Sequence, residues 1–313
     1  MANLLEIISA IAPPLLILLV GGFCRRGGWL RVEADASLSV LTIRVLYPCF
    51  FFFYLVGNQD TLLPQHFLIV TIAGFICISI GFVCSYLVAK TMGVESSAIP
   101  SFTFCSGIFN YGFFAFPVAA SIFGEQIIAK IILFNLGVET AIWTLGIWVL
   151  ARNQFKLIRL VNPPIISIIL ALIVREIGGQ AIVPSFIWEI ITLLGGCAIP
   201  IGLLLIGGNF ADLIKNFELS SGKKVEFSSI LVRLLIVPLL LFCYALVGPI
   251  PIEMNWLREI LLIQSAMPAG IFASFIVKNY NGDTTTAMRA NLATMIGCVV
   301  STPIWLGLGL KFL

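Results

Sequence analysis

Charged residues are scarce in this sequence. Asp, Glu, Lys and Arg together make up 11% of the 313 residues, whereas 60% are hydrophobic. A soluble globular domain carries about 25% charged residues. Because a soluble fold could not bury this much apolar surface, the composition predicts an integral membrane protein. The formal net charge is only +3 and no basic patch is interleaved with aromatic residues, which argues against nucleic acid as a partner.

The residue patterns of metal sites and hydrolases are also missing. The eight cysteines form no CxxC pair, and nearly all lie in apolar segments, where cysteine behaves as a small hydrophobic residue. The single histidine, His66, lies beside a loop, and the sequence has no GxSxG motif. Paired aspartates and an HxxxxD pattern are absent as well. We therefore expect a protein that is not an enzyme and that binds no cofactor and no structural metal.

Long apolar runs dominate what is present. A helix that crosses a bilayer needs about 20 predominantly apolar residues. The sequence predicts ten such segments, in an all-α membrane protein. The sixth has the weakest apolar signal, because its apolar run extends only from Pro163 to Val174, and we expect it to begin with an amphipathic turn over residues 157–161. The ten segments are 4–24, 38–57, 66–90, 98–121, 127–150, 158–177, 184–210, 226–247, 256–278 and 287–310.

The basic residues predict how these segments are oriented. With ten spans, the connections after odd-numbered spans hold twelve Lys and Arg residues, and the opposite side holds four. Cytoplasmic loops of membrane proteins carry such an excess. The prediction is a multi-pass protein of the plasma (inner) membrane with both termini extracytoplasmic. Arg44 and Arg233 lie within spans, and we expect each to snorkel to the interface, with attraction of an anion as the alternative.

The sequence contains an internal repeat. Each half holds five predicted spans, an odd number, so the second half must be inserted upside down relative to the first. The predicted repeats are residues 1–153 and 154–313, and inverted repeats are typical of secondary transporters. Four patterns recur in the same order at offsets of 150 to 157: Pro13-Pro14 with Pro163-Pro164, Pro48 to Asn58 with Pro200 to Asn209, Pro117 with Pro268, and Asn135-Leu136 with Asn291-Leu292.

Spans four and nine carry polar and helix-breaking residues at mid-membrane. Span four contains FNYGFFAFP, from Phe109 to Pro117, and span nine contains QSAMPAG, from Gln264 to Gly270. Proline removes a backbone donor, and unpaired backbone inside a bilayer is costly unless it faces protein or a wet cavity. We expect both helices to break and to cross, with half-helix N-termini that favour an anion. The alternative is two simple kinks, satisfied by neighbouring Ser or Thr side chains.

Short motifs along the whole chain resemble the auxin efflux carrier family of transporters. They are Asn110-Tyr111-Gly112 through Pro117 with Phe123-Gly124-Glu125, Asn162-Pro163, Pro200 through Gly208, Ala266-Met267-Pro268-Ala269 and Pro303-Ile304-Trp305. The absence of a long central loop favours the bacterial branch of that family.

The resemblance implies a fold related to the bile-acid/sodium symporters, with a scaffold of helices 1, 2, 6 and 7 and a transport unit of helices 3–5 and 8–10. It also implies organic anions as substrates, either auxin-like or malonate- and malate-like.

Candidate site residues follow from the two breaks. For an ion-coupling role we consider Glu139, Asn135 four residues before it, and Ser106, since carboxylate and amide oxygens suit Na⁺ and a buried carboxyl group can exchange a proton. The alternative is that Glu139 pairs with a buried basic residue. The second repeat has Met295 at the position corresponding to Glu139. The candidates for substrate binding are Asn110, Tyr111, Gly112, Pro117, Gln264, Ser265, Pro268, Tyr47, Pro48 and Asn209.

These features predict a secondary active transporter that moves a small organic anion by an elevator-type mechanism. A coupling ion is expected to be H⁺ or Na⁺, with a Na⁺ position near Asn110, Asn135 and Glu139, or to be absent. The alternative function is a cation/proton antiporter, which would need a pair of acids at the crossing. A channel or structural protein is a more distant option. The expected partners are the anion and the lipid bilayer, and a homodimer is left open.

Overall fold

The structure, a computed structural model, describes residues 4–58, 64–151, 162–215 and 223–312. All regular secondary structure in these ranges is helical, and no strand longer than an isolated bridge occurs in them. The first half contains α1 (Leu4–Arg26), α2 (Ala34–Leu41), α3 (Tyr47–Gly57), α4 (Pro64–Thr91), α5 (Ile99–Gly107), α6 (Ala115–Phe123), α7 (Gln126–Ala141) and α8 (Ile147–Leu150). The second half contains α9 (Pro163–Glu176), α10 (Ser185–Lys215), α11 (Lys224–Ile230), α12 (Val237–Val247), α13 (Trp256–Ala266), α14 (Phe272–Asn279) and α15 (Thr284–Phe312).

Seven helices in these ranges are long and apolar enough to cross a membrane. They correspond to predicted spans one, two, three, five, seven, eight and ten, so the all-helical membrane class is confirmed. Their bounds are Glu6–Arg26, Ala34–Gly57, Pro64–Thr91, Gln126–Leu150, Ser185–Asp212, Lys224–Val247 and Thr284–Phe312.

Three of these spans contain a π-helical turn. The turns are Thr42–Leu46, Ile142–Gly146 and Leu231–Ile236, and each joins two α-helices into one continuous rod. Single π-turns inside α-helices occur frequently at functional sites. Arg44 and Arg233 lie in two of these turns, and Glu139 lies just before the third.

The other three predicted spans are shorter or interrupted. Spans four and nine are each divided into two short helices, α5 with α6 and α13 with α14. The sixth corresponds to α9, whose first turn is capped by the Asn162 side chain accepting a hydrogen bond from the Ile165 N–H at 3.0 Å. The predicted amphipathic turn over residues 157–161 lies outside the described residues. So do the repeat boundary at 153/154 and three of the twelve basic residues, Arg152, Lys156 and Arg159.

The described parts of the connections after spans one, three, seven and nine lie close to one another. Arg25 at the end of α1 forms ion pairs with Asp35 at 2.5 Å and with Asp212 of α10 at 3.2 Å. These contacts bring the connection after span one to the end of span seven.

The same group of connections is joined at two further points. The Lys224 ammonium donates to the Gly93 carbonyl at 3.5 Å, and Arg289 pairs with Glu226 at 2.6 Å. The connections after spans three, seven and nine therefore meet as well.

The connections after even-numbered spans contact one another in the same way. The ring of Trp256, the first residue of α13, lies 6.3 Å from the His66 ring and 5.0 Å from the Lys130 ammonium. Arg175 lies over the Phe67 ring at 5.7 Å. Among the described residues, these contacts join odd connections with odd ones and even connections with even ones.

Glycines let two pairs of helices approach backbone to backbone. A methyl group at Gly137 of α7 would overlap the Thr71 carbonyl oxygen of α4, and one at Gly74 would overlap the Phe134 carbonyl oxygen. A methyl group at Gly207 of α10 would likewise overlap the Leu18 carbonyl oxygen of α1. Small residues at such contacts are the common way in which membrane helices pack tightly.

Candidate functional site

Both helices with predicted breaks are interrupted. α5 ends at Gly107, the chain is extended at Ile108 (φ −93°, ψ 123°), and α6 begins at Ala115. α13 ends at Ala266, and Met267 is extended (φ −75°, ψ 145°) because the residue before a proline is driven from the helical region. The Pro268 nitrogen cannot donate a helical hydrogen bond.

The two interruptions pair with each other through their backbones. The Asn110 N–H donates to the Pro268 carbonyl at 2.8 Å, and the Gly270 N–H donates to the Ile108 carbonyl at 2.9 Å. Phe109 and Ala269 thereby form an antiparallel bridge. We call residues 108–110 together with 268–270 the crossing. The pairing satisfies backbone groups that would otherwise be costly inside a bilayer.

The ends of four short helices meet at the crossing. α6 and α14 begin just after it, and α5 and α13 end just before it. Helix N-termini carry a partial positive charge and C-termini a partial negative charge. The Asn110 side-chain oxygen accepts from the Phe114 N–H at 3.4 Å, at the entrance to α6. The crossing thus presents two N-termini that can attract an anion.

Glu139 lies beside the first break. One carboxylate oxygen accepts from the Tyr111 hydroxyl at 2.5 Å, and the other accepts from the Trp143 indole N–H at 2.8 Å. No basic side chain in the described part of the chain pairs with Glu139. Its partners are therefore neutral donors and not the buried cation that we considered as an alternative.

Two amide side chains extend this contact to the second break. Asn135 donates to the Tyr111 carbonyl at 2.9 Å, and its side-chain oxygen accepts from Gln264 at 3.2 Å. Gln264 is fully buried, and its own side-chain oxygen has no hydrogen-bond partner among the described residues. We call Tyr111, Asn135, Glu139 and Gln264 the polar network. It joins residues that are more than a hundred positions apart in the sequence.

α3 and α10 contact the first break from a third side. The Tyr47 ring lies 5.1 Å from the Phe113 ring, and a methyl group at Gly112 would come within 3.0 Å of the Tyr47 hydroxyl. Gly202 of α10 leaves the space that the Phe113 ring occupies. Pro48 follows Tyr47 in the first turn of α3. Tyr47 and Gly112, both predicted candidates, are thus brought together, and Pro48 adjoins Tyr47 in the chain.

Three other predicted residues, Pro117, Asn209 and Ser106, lie outside both the crossing and the polar network. Pro117 lies inside α6, so the crossing pairs Phe109 with Ala269 and not Pro117 with Pro268. Asn209 donates to the Leu205 carbonyl of its own helix, and its neighbour Gly208 lies next to Arg25, at the end of α10 away from the crossing. Ser106 is buried near the end of α5, and its hydroxyl has no hydrogen-bond partner among the described residues.

Arg233 was expected to snorkel, and this prediction is wrong. The side chain is 0% exposed. Its Nη2 donates to the Ser265 carbonyl at 3.1 Å, and the guanidinium carbon lies 5.4 Å from the centroid of the Phe109 ring. Phe109 belongs to the crossing, and Ser265 lies three residues before its second segment. The signal in the sequence was the same as for Glu139, an ionisable residue in an apolar span.

The geometry therefore defines a multi-pass membrane protein with a pair of crossed, interrupted helices. Residues 148–306, half of the chain, match the family described as membrane transport protein. The chain belongs to this family, the auxin efflux carrier family.

Two archaeal relatives match almost the whole chain. An uncharacterized transporter of Methanocaldococcus jannaschii is 24% identical, over 93% of this chain and 95% of the relative. An uncharacterized transporter of Methanothermobacter thermautotrophicus is 22% identical, over 93% of this chain and 94% of the relative. Because these relatives are archaeal, they do not support the expected bacterial branch, and the relation to bile-acid symporters stays a prediction.

Proposed function

We propose that this protein is a secondary transporter that holds a small organic anion at the crossing and moves it by alternating access. The observation that carries the proposal is the backbone pairing of two interrupted helices, which brings the N-termini of α6 and α14 together. Each N-terminus adds a favourable term of about 1 kcal/mol for a negative group. Membership of a transport family supports the same conclusion.

The proposed architecture has ten crossings of the membrane in two inverted five-helix repeats. The separate grouping of odd and even connections supports it. The recurrence of contacts supports it too, because α1 packs along α10 in the way that α9 packs along α3. The interrupted pair α5–α6 likewise has its counterpart in α13–α14. In this architecture α9 is the sixth span. The protein lies in the plasma membrane, and both of its termini are on the extracytoplasmic side.

Movement would occur between two groups of helices. α1, α3, α9 and α10 pack on one another and form the proposed scaffold. The remaining long and interrupted helices form the proposed transport unit. Aromatic rings line the contact between the groups, with Phe50 lying 5.1 Å from Phe116 and Tyr47 lying 5.1 Å from Phe113. Contacts between aromatic rings suit surfaces that slide past each other in an elevator motion.

Glu139 is the proposed coupling group. A carboxylate held by neutral donors can bind and release a proton, or it can join the oxygens of Asn135 and Gln264 around Na⁺. Its contact with Tyr111, the residue after Asn110, connects this event to the break. Binding of an ion at Glu139 would therefore alter the shape of the anion site.

Two experiments test the proposal. A thermal-shift screen of carboxylates, with and without Na⁺ and across pH, comes first, and uptake of the stabilising compounds into proteoliposomes follows. A ligand at 100 times its Kd should add about 2.7 kcal/mol to the free energy of unfolding. Stabilisation by a mono- or dicarboxylate, followed by its uptake, is the expected result. If a cation gradient drives proton movement and no carboxylate stabilises the protein or is taken up, the cation/proton antiporter is supported instead. Against that alternative, the polar network holds one carboxylate, Glu139, and not the pair of acids that an antiporter would need.

A further inference from the structure

Two arginines are buried in the described part of the chain, and they differ in their partners. Arg25 forms ion pairs with Asp35 and Asp212. Arg233 is more deeply buried, and it pairs with no acidic side chain among the described residues. Its only hydrogen bond in these ranges goes to the Ser265 carbonyl, while its Nε and Nη1 donors have no partner there.

The groups around Arg233 are only partly negative. The Ser265 carbonyl belongs to the C-terminal end of α13, which carries a fraction of a unit charge, and the Phe109 ring offers its π face. A buried guanidinium normally requires a full counter-charge, and an apolar residue of similar volume would fill the same space without that requirement. The charge itself must therefore contribute something that packing does not.

The geometry points to Arg233 as the cationic residue of the anion site, acting on the carboxylate of the substrate. This inference rests on the proposed function. The π-helical turn Leu231–Ile236 directs the side chain at the crossing, and its contacts with Ser265 and Phe109 connect it to both interrupted helices. In a low-dielectric interior, a charge acts on an anion beyond direct contact. Arg233 thus complements the two helix N-termini with a full positive charge.

Substitutions that separate charge from volume test this inference. Uptake and thermal stabilisation are measured with malonate, malate and indole-3-acetate for the unaltered protein, Arg233→Met and Arg233→Lys. The Met variant should fold and unfold at a temperature near that of the unaltered protein, while the KM of the transported carboxylate rises at least about tenfold. The Lys variant should keep more of the affinity than the Met variant, because it keeps the charge.

Arg258→Met is the matched control. Arg258 also donates to carbonyls at a helix C-terminus, those of Ala245 and Gly248, but it lies at the other end of α13 from the crossing. Its substitution should lower stability and leave KM unchanged.

Each outcome decides the inference. A folded Met variant with unchanged KM overturns it and leaves the proposed function intact. If the Met variant does not fold, a folded Lys variant that binds the carboxylate supports the inference, and one that does not bind overturns it. If neither variant folds, Arg233 is a structural residue and the inference is overturned. Failure of all three carboxylates with the unaltered protein would contradict the proposed function itself.

Discussion

Asn110 takes part in the crossing with both its backbone and its side chain. The backbone pairs with Pro268, and the side chain accepts from Phe114 at the start of α6. Asn110→Ala keeps the backbone pairing but removes the side-chain acceptor that orients the N-terminus of α6. We expect uptake of the carboxylate to be abolished, while the free energy of unfolding falls by only about 1 kcal/mol. Uptake and thermal unfolding of the purified variant measure the two effects.

Asn162→Ala provides the control for this substitution. Asn162 caps α9 through the Ile165 N–H, with no contact to the crossing. Asn162→Ala should lower the free energy of unfolding by a similar amount, about 1 kcal/mol, without changing uptake kinetics. If Asn110→Ala transports like Asn162→Ala, the side chain of Asn110 does not belong to the site.

Glu139 is the residue on which ion coupling depends in our proposal. Gln at this position retains an oxygen acceptor for Tyr111 or Trp143 but cannot titrate. Glu139→Gln should therefore fold and should make uptake insensitive to pH or to Na⁺, whichever drives the unaltered protein. The measurement is initial uptake rate against pH at fixed Na⁺, and against Na⁺ at fixed pH.

Tyr111→Phe distinguishes the role of the Glu139 carboxylate from the role of the hydrogen bond that it accepts from Tyr111. It removes the hydroxyl donor and leaves Glu139 ionisable, with Trp143 still donating. The ion response should be shifted in this variant but still present.

An unaltered ion response in Glu139→Gln would mean that the carboxylate only links α7 to the first break.

At the scale of elements, the close approach of α4 and α7 depends on glycine. A methyl group at Gly137 would overlap backbone atoms of Thr71, which cannot move aside as a side chain can. We expect Gly137→Ala to lower the free energy of unfolding by about 3 kcal/mol, at the upper end of overpacking costs. Thermal unfolding in detergent measures this effect.

Gly196→Ala is the matched control on α10, since nothing lies within 4 Å of the added methyl group. Gly196→Ala should raise the free energy of unfolding by no more than about 1 kcal/mol, because alanine has the higher helix propensity. Equal effects of the two substitutions would mean that α4 and α7 are not packed as closely as described.

The interrupted helices show how far local rules extend at this scale. Pro268 breaks its helix where the sequence predicted, because a missing donor and a restricted preceding residue act locally. Pro117 is accommodated inside α6, because the first turn of a helix requires no N–H from it. The first break lies earlier, at residues 108–114, where pairing with the second break competes with the helix.

At the scale of the whole molecule, the proposed topology predicts which connections face the cytoplasm. Gly28→Cys, after α1, should react with a membrane-impermeant thiol reagent only from the cytoplasmic side. Ile252→Cys, in the exposed connection between α12 and α13, should react only from outside. The parent chain with its eight native cysteines supplies the background. Ser221→Cys should react like Gly28→Cys, although residue 221 lies outside the described residues.

Labelling of whole cells and of inverted vesicles distinguishes the two sides. Reaction of positions 28 and 252 from the same side would contradict the ten-span topology. Reaction of each from the side opposite to the prediction would retain the ten spans and reverse both termini.

Several features of the molecule were readable from the sequence by itself. Composition and apolar runs determined the membrane class and the seven long helices, because each such helix is a local property of about 20 residues. The chemistry of proline and glycine indicated where two further helices would be interrupted. An ionisable residue in an apolar run marked Glu139 and Arg233 as unusual without indicating their partners.

Only the tertiary structure decided which of these residues meet. It paired Phe109 with Ala269, joined Gln264 to Asn135 and buried Arg233 beside Ser265, while Asn209 remained at the far end of α10. The physical reason is that a buried polar group must find a partner, and the partner is chosen by the packing of distant helices and not by neighbours in the chain.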